Sequence, residues 1–417
     1  MDEITRDGRG VLRVEGVSFS DLADRYGTPT YVYSRSAIES SYRCVDAAFA
    51  GRPHLVCYAV KANPCGAVLD ELARLGAGAD IVSGGELYRA LRAGIPPGRI
   101  VFSGVGKSRR EMSEAIDAGI LMFNIESFSE LAALDEVARA AGRRAPVALR
   151  VNPDVDARTH PYVATGLKTS KFGIRHDRAL EGYERARSLS NIEVVGISCH
   201  IGSQLESTGP FSEAARHVGA LAAELVAKGF DLRVVDLGGG LGIRYDDETP
   251  PSAASYVEAL YGALGRLDVS LVIEPGRSIV GNVGVLLTRT LYTKKADDTR
   301  FAIVDAGMND LIRPSLYGSF HAVEHVGAVE RELETTDLVG PVCESGDFLA
   351  KKRELPRVVA GDLLAVLGAG AYGFAMASTY NSRPLAAEVM VSEGRHCLVR
   401  ERGTYEDLVR AEVPAAF

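Results

Sequence analysis

The sequence has no lysine- or arginine-rich run, and its 47 Lys and Arg against 55 Asp and Glu leave a net charge of −8. Without a basic stripe nothing is set to track a phosphate backbone, so nucleic acid is not an expected partner. Long apolar runs are missing too: stretches such as 283–287 and 363–367 fall far short of the ~20 residues that span a bilayer. The opening MDEITRDGRG is acidic and polar, unlike a signal peptide, and the expectation is a cytoplasmic protein with no membrane partner. Cys44, Cys57, Cys65, Cys199, Cys343 and Cys397 include no CxxC pair. That spacing argues against a zinc knot and against a disulfide framework, and no metal is expected. Neither an internal repeat nor a low-complexity linker interrupts the chain.

What is present is enough apolar material for a large core: 46% of 417 residues are hydrophobic, room for two domains. From about residue 35, short β-rich runs alternate with amphipathic stretches, the pattern of a parallel sheet closed or flanked by helices. The runs at 55–60, 79–82, 100–103, 121–124, 147–152, 194–201, 234–237 and 271–274 predict eight strands. Segments at 67–75, 85–93, 109–118 and 127–140 predict helices between them. Eight strand–helix repeats suit a (β/α)8 barrel, with an open doubly wound sheet as the alternative. After Gly276 the character changes. Runs at 283–292, 301–305, 336–339, 362–367 and 388–391 predict a second, mostly β domain. Extended runs at 10–19 and 30–34 offer it N-terminal strands. The expected boundaries are 1–34 for that contributing segment, 35–280 for the barrel and 281–417 for the β domain.

The polar and glycine-rich motifs fall at the C-terminal ends of the predicted barrel strands, where barrel enzymes place their active sites. Lys61 follows strand one in CYAVKAN (57–63). A partly desolvated lysine there can form a Schiff base with an aldehyde, while a snorkelling lysine at a strand end is the simpler alternative. His200 follows strand six in SCHIGSQ (198–204); its imidazole suits stacking on a flat ring, or a purely structural place. DLGGGLG (236–242) brings Gly239 and Gly240 to the end of strand seven, as an anion cradle or as a tight turn. EPGR places Glu274, Gly276 and Arg277 after strand eight. A buried glutamate can hold a proton on a pyridine nitrogen; an internal Glu–Arg ion pair is the alternative. Arg313 and Tyr317 in NDLIRPSLYGS, Cys343 and Glu344 in GPVCESGD, and Tyr372 in GAGAYGF supply side chains suited to an amino-acid ligand.

In this order the motifs, with HPYVATGLKTSKFGI at 160–174, resemble the fold-type III pyridoxal-phosphate decarboxylases, and within them the diaminopimelate decarboxylases. The resemblance runs from about Tyr26 to Val391. It implies that Lys61 carries the cofactor and His200 stacks on its ring. It also implies that Ser203, Gly240, Arg277 and Tyr372 surround the phosphate, that Gly239 and Gly276 join them in binding the cofactor, and that Glu274 faces the ring nitrogen. Arg277, Arg313, Tyr317, Glu344 and Tyr372 are implied to bind substrate, with Cys343 as proton donor. The 340–347 loop is implied to serve a neighbouring subunit in a homodimer with shared active sites. The expected reaction is decarboxylation of meso-2,6-diaminopimelate to L-lysine, because Arg313 with Arg277 can meet its distal carboxylate and Glu344 its ammonium. A carboxylate at Glu274 argues against alanine racemase, where an arginine faces the ring nitrogen. The rivals are a related decarboxylase for a D-configured diamino acid or another carboxylated amine, and a non-catalytic pyridoxal-phosphate-binding protein.

Overall fold

A computed structural model describes residues 4–155, 171–297 and 299–415. They form two compact units. One comprises Glu39–Arg244 and Glu248–Ile279; the other takes the chain up to Ile38, Tyr245–Asp247 and the chain from Val280 onward. Among the described residues no helix is long and apolar enough to cross a membrane.

In the first unit eight parallel strands close on themselves: β1 (His54–Ala59), β2 (Gly78–Ile81), β3 (Ile100–Phe102), β4 (Met122–Ile125), β5 (Ala145–Asn152), β6 (Ile192–Ser198), β7 (Val234–Asp236) and β8 (Ser270–Ile273). Each pairs with the next, and β8 returns to β1. The closure excludes the open doubly wound sheet. Helices Gly84–Arg92, Arg109–Ala118, Phe128–Ala140 and Ala253–Leu264 begin where a serine caps the first turn. Ser108 does so reciprocally with Glu111, which satisfies two otherwise orphaned backbone N–H groups at the start of Arg109–Ala118.

The barrel interior explains where the polar residues stand. Leu55, Cys57, Val101, Met122, Ala148, Val195, Val234 and Val272, from seven strands, pack into one apolar cluster. Because side chains alternate across a strand with a period of two, residues two further on point the same way, one layer nearer the C-terminal end. Val101 is thus followed by Ser103, Met122 by Asn124, Val234 by Asp236 and Val272 by Glu274. An apolar floor carries a polar layer.

The second unit is built on a sheet running Phe348–Pro356, Leu333–Val339, Thr299–Val304, Gly284–Ala296, Thr30–Ser34, Ala387–Ser392 and Arg395–Arg400. Thr30–Ser34 lies antiparallel to Gly284–Ala296 and parallel to Ala387–Ser392, so an N-terminal strand sits inside the sheet. Its core gathers Val32, Val285, Leu287, Ala365 and Val389. The extended run expected at 10–19 is only partly strand: Leu12–Val14 and Val17–Ser18 are followed by a helix, Phe19–Tyr26. Ser18 Oγ accepts from the Ser20 N–H, and Phe19, Leu22 and Ala23 are buried at helical spacing.

Candidate active site

Lys61 lies just past β1, in a single 3-10 turn Val60–Ala62. Two residues beyond inward-facing Ala59, it continues the interior row, and its Nζ donates to Asp80 Oδ2 at 2.7 Å. Asp80 is fully buried. This partner on β2 was not among the site residues expected from sequence.

Beside it lies a buried acid pair. Asn124 Nδ2 donates to Asp236 Oδ2 at 2.9 Å and to Glu274 Oε1 at 3.2 Å, and Ser103 Oγ also reaches Glu274 Oε1 at 3.2 Å. Burial is the first cause that lifts the Glu274 carboxyl well above the carboxylate range, and the charges of Asp236 and Asp80 push it further. Asp236 is raised as well, again first by burial, while hydrogen bonds from Glu274, Asn124 and the Gly238 N–H work the other way. Two carboxyls removed from water hold a proton between them unless a cation arrives.

His200 stands two residues beyond β6, not within it. Burial holds its imidazole well below the ordinary histidine value, and the cations Arg150 and Lys61 act in the same direction. The Gly239 N–H donates to His200 Nδ1 at 3.2 Å. A neutral ring that accepts at Nδ1 carries its hydrogen on Nε2.

The glycine run after β7 is a close approach of backbones. A Cβ on Gly239 would stand 2.2 Å from the Glu274 carbonyl oxygen, and one on Gly240, at φ +113°, would stand 2.5 Å from that of Gly202. The neighbouring loop is zipped to it: the Leu205 N–H donates to Gly240 O and the Gly242 N–H to Leu205 O, both at 3.0 Å. That seam sets Ser203 against Arg277, whose Nε and Nη2 donate to Ser203 Oγ at 3.3 and 3.2 Å. Gly276 meets Ala59 and Ala62 so closely that its own Cβ would lie within 3.0 Å of both. Lys61, His200, Ser203, Gly239, Gly240, Glu274, Gly276 and Arg277 all lie at the C-terminal end of one barrel.

The remaining expected residues lie in the β unit. Arg313 is buried at the start of the short helix Arg313–Tyr317, and Tyr317 is half-buried at its end. Cys343 and Glu344 are exposed on a turn whose shape is fixed by Asp347, another residue not singled out from sequence. Asp347 Oδ1 accepts from the Met308 N–H and Oδ2 from the Val342 N–H, each at 2.6 Å. The Cys343 N–H donates to Asn381 Oδ1 at 2.7 Å. Tyr372 is half-buried with φ 55°, a left-handed backbone that costs a tyrosine about 1 kcal/mol. The glycines beside it have no room for a side chain: a Cβ on Gly370 would lie 1.9 Å from Val280 O, and one on Gly373 2.4 Å from Ala369 O. Most of the 160–174 motif lies outside the described residues.

Comparison with known proteins identifies the family. The family described as pyridoxal-dependent decarboxylase, pyridoxal binding domain, matches residues 35–281. The diaminopimelate decarboxylase of Pseudomonas aeruginosa is 55% identical over 401 residues, 96% of either chain. Among solved structures, Helicobacter pylori diaminopimelate decarboxylase complexed with L-lysine superposes with a TM-score of 0.92 at 44% identity, covering 95% of this chain and 99% of that one. The M. jannaschii diaminopimelate decarboxylase in co-complex with L-lysine gives 0.94 at 38%, covering 99% and 98%. Matched through its barrel by that family and along nearly its whole length by these relatives, the chain belongs to the pyridoxal-dependent decarboxylases, within their diaminopimelate decarboxylase branch.

Proposed function

We propose that this protein removes one carboxylate of meso-2,6-diaminopimelate as carbon dioxide and releases L-lysine, with pyridoxal phosphate as its cofactor. The observation that carries the reading is the meeting of Lys61, buried Glu274 and the Ser203–Arg277 pair at one end of the barrel.

These residues fit the cofactor. Gly239 and Gly240 are bare backbone packed where a Cβ would collide with Glu274 O and Gly202 O, and with Ser203 and Arg277 they suit the phosphate. Glu274, buried and short of counter-charge, is the partner that a protonated ring nitrogen stabilises. When bound, pyridoxal phosphate supplies an aldehyde for an amine and a ring that draws electrons from the bond that breaks.

The remaining work falls to the chain's own groups. Lys61, with Asp80 at its side, would hold the cofactor through its amine. His200, neutral, serves the ring face without adding a charge that opposes the pyridinium. Glu274 keeps the proton on the ring nitrogen. Arg277, Arg313, Tyr317, Glu344 and Tyr372 bind substrate, Arg313 taking a carboxylate and Glu344 an ammonium. Cys343 delivers a proton to the carbon that has lost carbon dioxide. The reading includes a cytoplasmic homodimer in which the 340–347 loop serves the other subunit's site. Exposure of Cys343 and Glu344 on the single chain supports that part.

The test is to give cofactor-loaded protein meso-diaminopimelate, ornithine, lysine and arginine in parallel, measuring carbon dioxide and amino-acid product, with Lys61→Ala as control. Lysine formed from diaminopimelate alone is expected. Turnover of another amine overturns the substrate, and cofactor binding without any turnover overturns the enzyme.

A further inference from the structure

We infer that His321 is a positioning residue that sets the orientation of Arg313 for a carboxylate ligand, an inference that rests on the substrate role given to Arg313 above. The sequence folds this stretch back on itself. Pro314 stands in the first turn of Arg313–Tyr317, and Gly318, at φ 63°, caps it in the left-handed conformation with its N–H on the carbonyls of Arg313 and Pro314. The chain then returns along the side of Arg313, and the Ser319 N–H reaches Arg313 O at 3.4 Å. That return brings His321 to the guanidinium.

His321 is fully buried and bonded on both ring nitrogens. Nδ1 is 2.9 Å from the Leu367 carbonyl oxygen, and Nε2 is 2.9 Å from Arg313 Nη1. A carbonyl oxygen only accepts, so Nδ1 carries the hydrogen; a guanidinium only donates, so Nε2 offers its lone pair. Both contacts demand the same neutral tautomer, and a ring flip would break both. On the other side of the fork, Arg313 Nη2 donates to Ser319 Oγ at 3.3 Å. Tyr245 supplies the plane: the guanidinium carbon lies 4.7 Å from its ring centroid, and that ring meets His321 edge-on at 5.4 Å. Imidazole and hydroxyl fix the rotation of the fork while the aromatic face fixes its tilt.

The choice of acceptor has a chemical consequence. A carboxylate in the place of His321 would hold the arginine equally well but would cancel its charge and compete with an anionic ligand. A neutral imidazole orients the cation without cancelling its charge. His321 thereby acts on affinity for the carboxylate that remains on the product, without touching the reacting bond.

The experiment compares His321→Asn, which keeps a donor near Leu367 O and withdraws the acceptor from Arg313, with His321→Gln, whose longer amide restores an acceptor there. L-lysine and 1,5-diaminopentane, which differ by that one carboxylate, are the binding probes on holoenzyme. For His321→Asn the expected result is a KM for diaminopimelate and a Kd for L-lysine raised about tenfold or more, the loss of a hydrogen bond to a charged group. kcat and the affinity for 1,5-diaminopentane stay within about twofold, and His321→Gln recovers most of the loss. Ser319→Ala, a milder change across the fork, is expected to weaken L-lysine by a smaller factor in the same direction, and it keeps the test alive if His321→Asn does not fold. Equal weakening of L-lysine and 1,5-diaminopentane, or equal behaviour of the Asn and Gln variants, overturns the positioning role. Arg313→Ala is run alongside: normal L-lysine affinity in that variant overturns the role of Arg313 itself, whatever the His321 variants do.

Discussion

The two units handle polar groups in opposite ways. The barrel unit places Asp80, Asn124, Asp236 and Glu274 in a layer nearly closed to water, where each carboxyl is defined by its buried neighbours. The β unit divides its groups, burying Arg313 against His321 while leaving Cys343 and Glu344 exposed on a turn held from beneath by Asp347. Electron withdrawal needs a carboxyl that ionises only beside a cation, which requires low dielectric. Recognition of a charged substrate and delivery of a proton require groups the ligand can reach. The difference predicts that barrel residues set the rate of bond breaking, that Arg313 and Glu344 of the β unit set which acid is held, and that Cys343 returns the proton.

Three substitutions sharpen or break that division, in falling order of effect. Lys61→Ala is expected to lower kcat at least about a thousandfold and to remove the lysine-linked absorbance of the bound cofactor; single-turnover rates and spectra check it. Cys343→Ala is expected to lower the rate about a hundredfold or more through loss of a proton donor, with diaminopimelate affinity little changed. A wild-type rate and product for that variant would show that the thiol donates nothing.

The smallest effect concerns stability. Asp310 in the β unit is pushed up to about 7, first by burial, from an ordinary value of 3.8. The folded chain therefore holds a proton that the unfolded chain releases. The stability this proton contributes is full below about pH 4 and is lost as pH rises through about 7. Asp310→Asn keeps an acceptor for the Gly307 N–H, now met by Asp310 Oδ2 at 3.0 Å, and removes the titration. Its Tm is expected to fall less than that of the wild type between pH 5 and 8, by about 3 °C; equal falls would mean that Asp310 stays ionised.

Much of the barrel was legible in the sequence because strands covered on both faces read as short continuous apolar runs, and all eight expected runs correspond to β1 through β8. The β unit was harder. Phe348–Pro356 reads FLAKKRELP and Arg395–Arg400 reads RHCLVR; neither shows a clean apolar alternation, and neither was expected as a strand. At the site, residues carried in contiguous motifs stood out. Asp80, Asn124 and His321 did not, because each is a single polar residue whose meaning comes from partners far along the chain. Asn124 meets Glu274 across 150 positions, a contact made only when the barrel closes. His321 is near Arg313 in sequence, yet its second anchor, Leu367 O, is 46 residues away.

The division of labour is tested most directly by measuring kcat and KM for meso-diaminopimelate in Glu274→Gln and Arg313→Ala side by side. The account predicts that Glu274→Gln lowers kcat about a hundredfold with KM within about threefold, while Arg313→Ala raises KM about tenfold or more with kcat far less affected. Losses in the same parameter for both variants would contradict it.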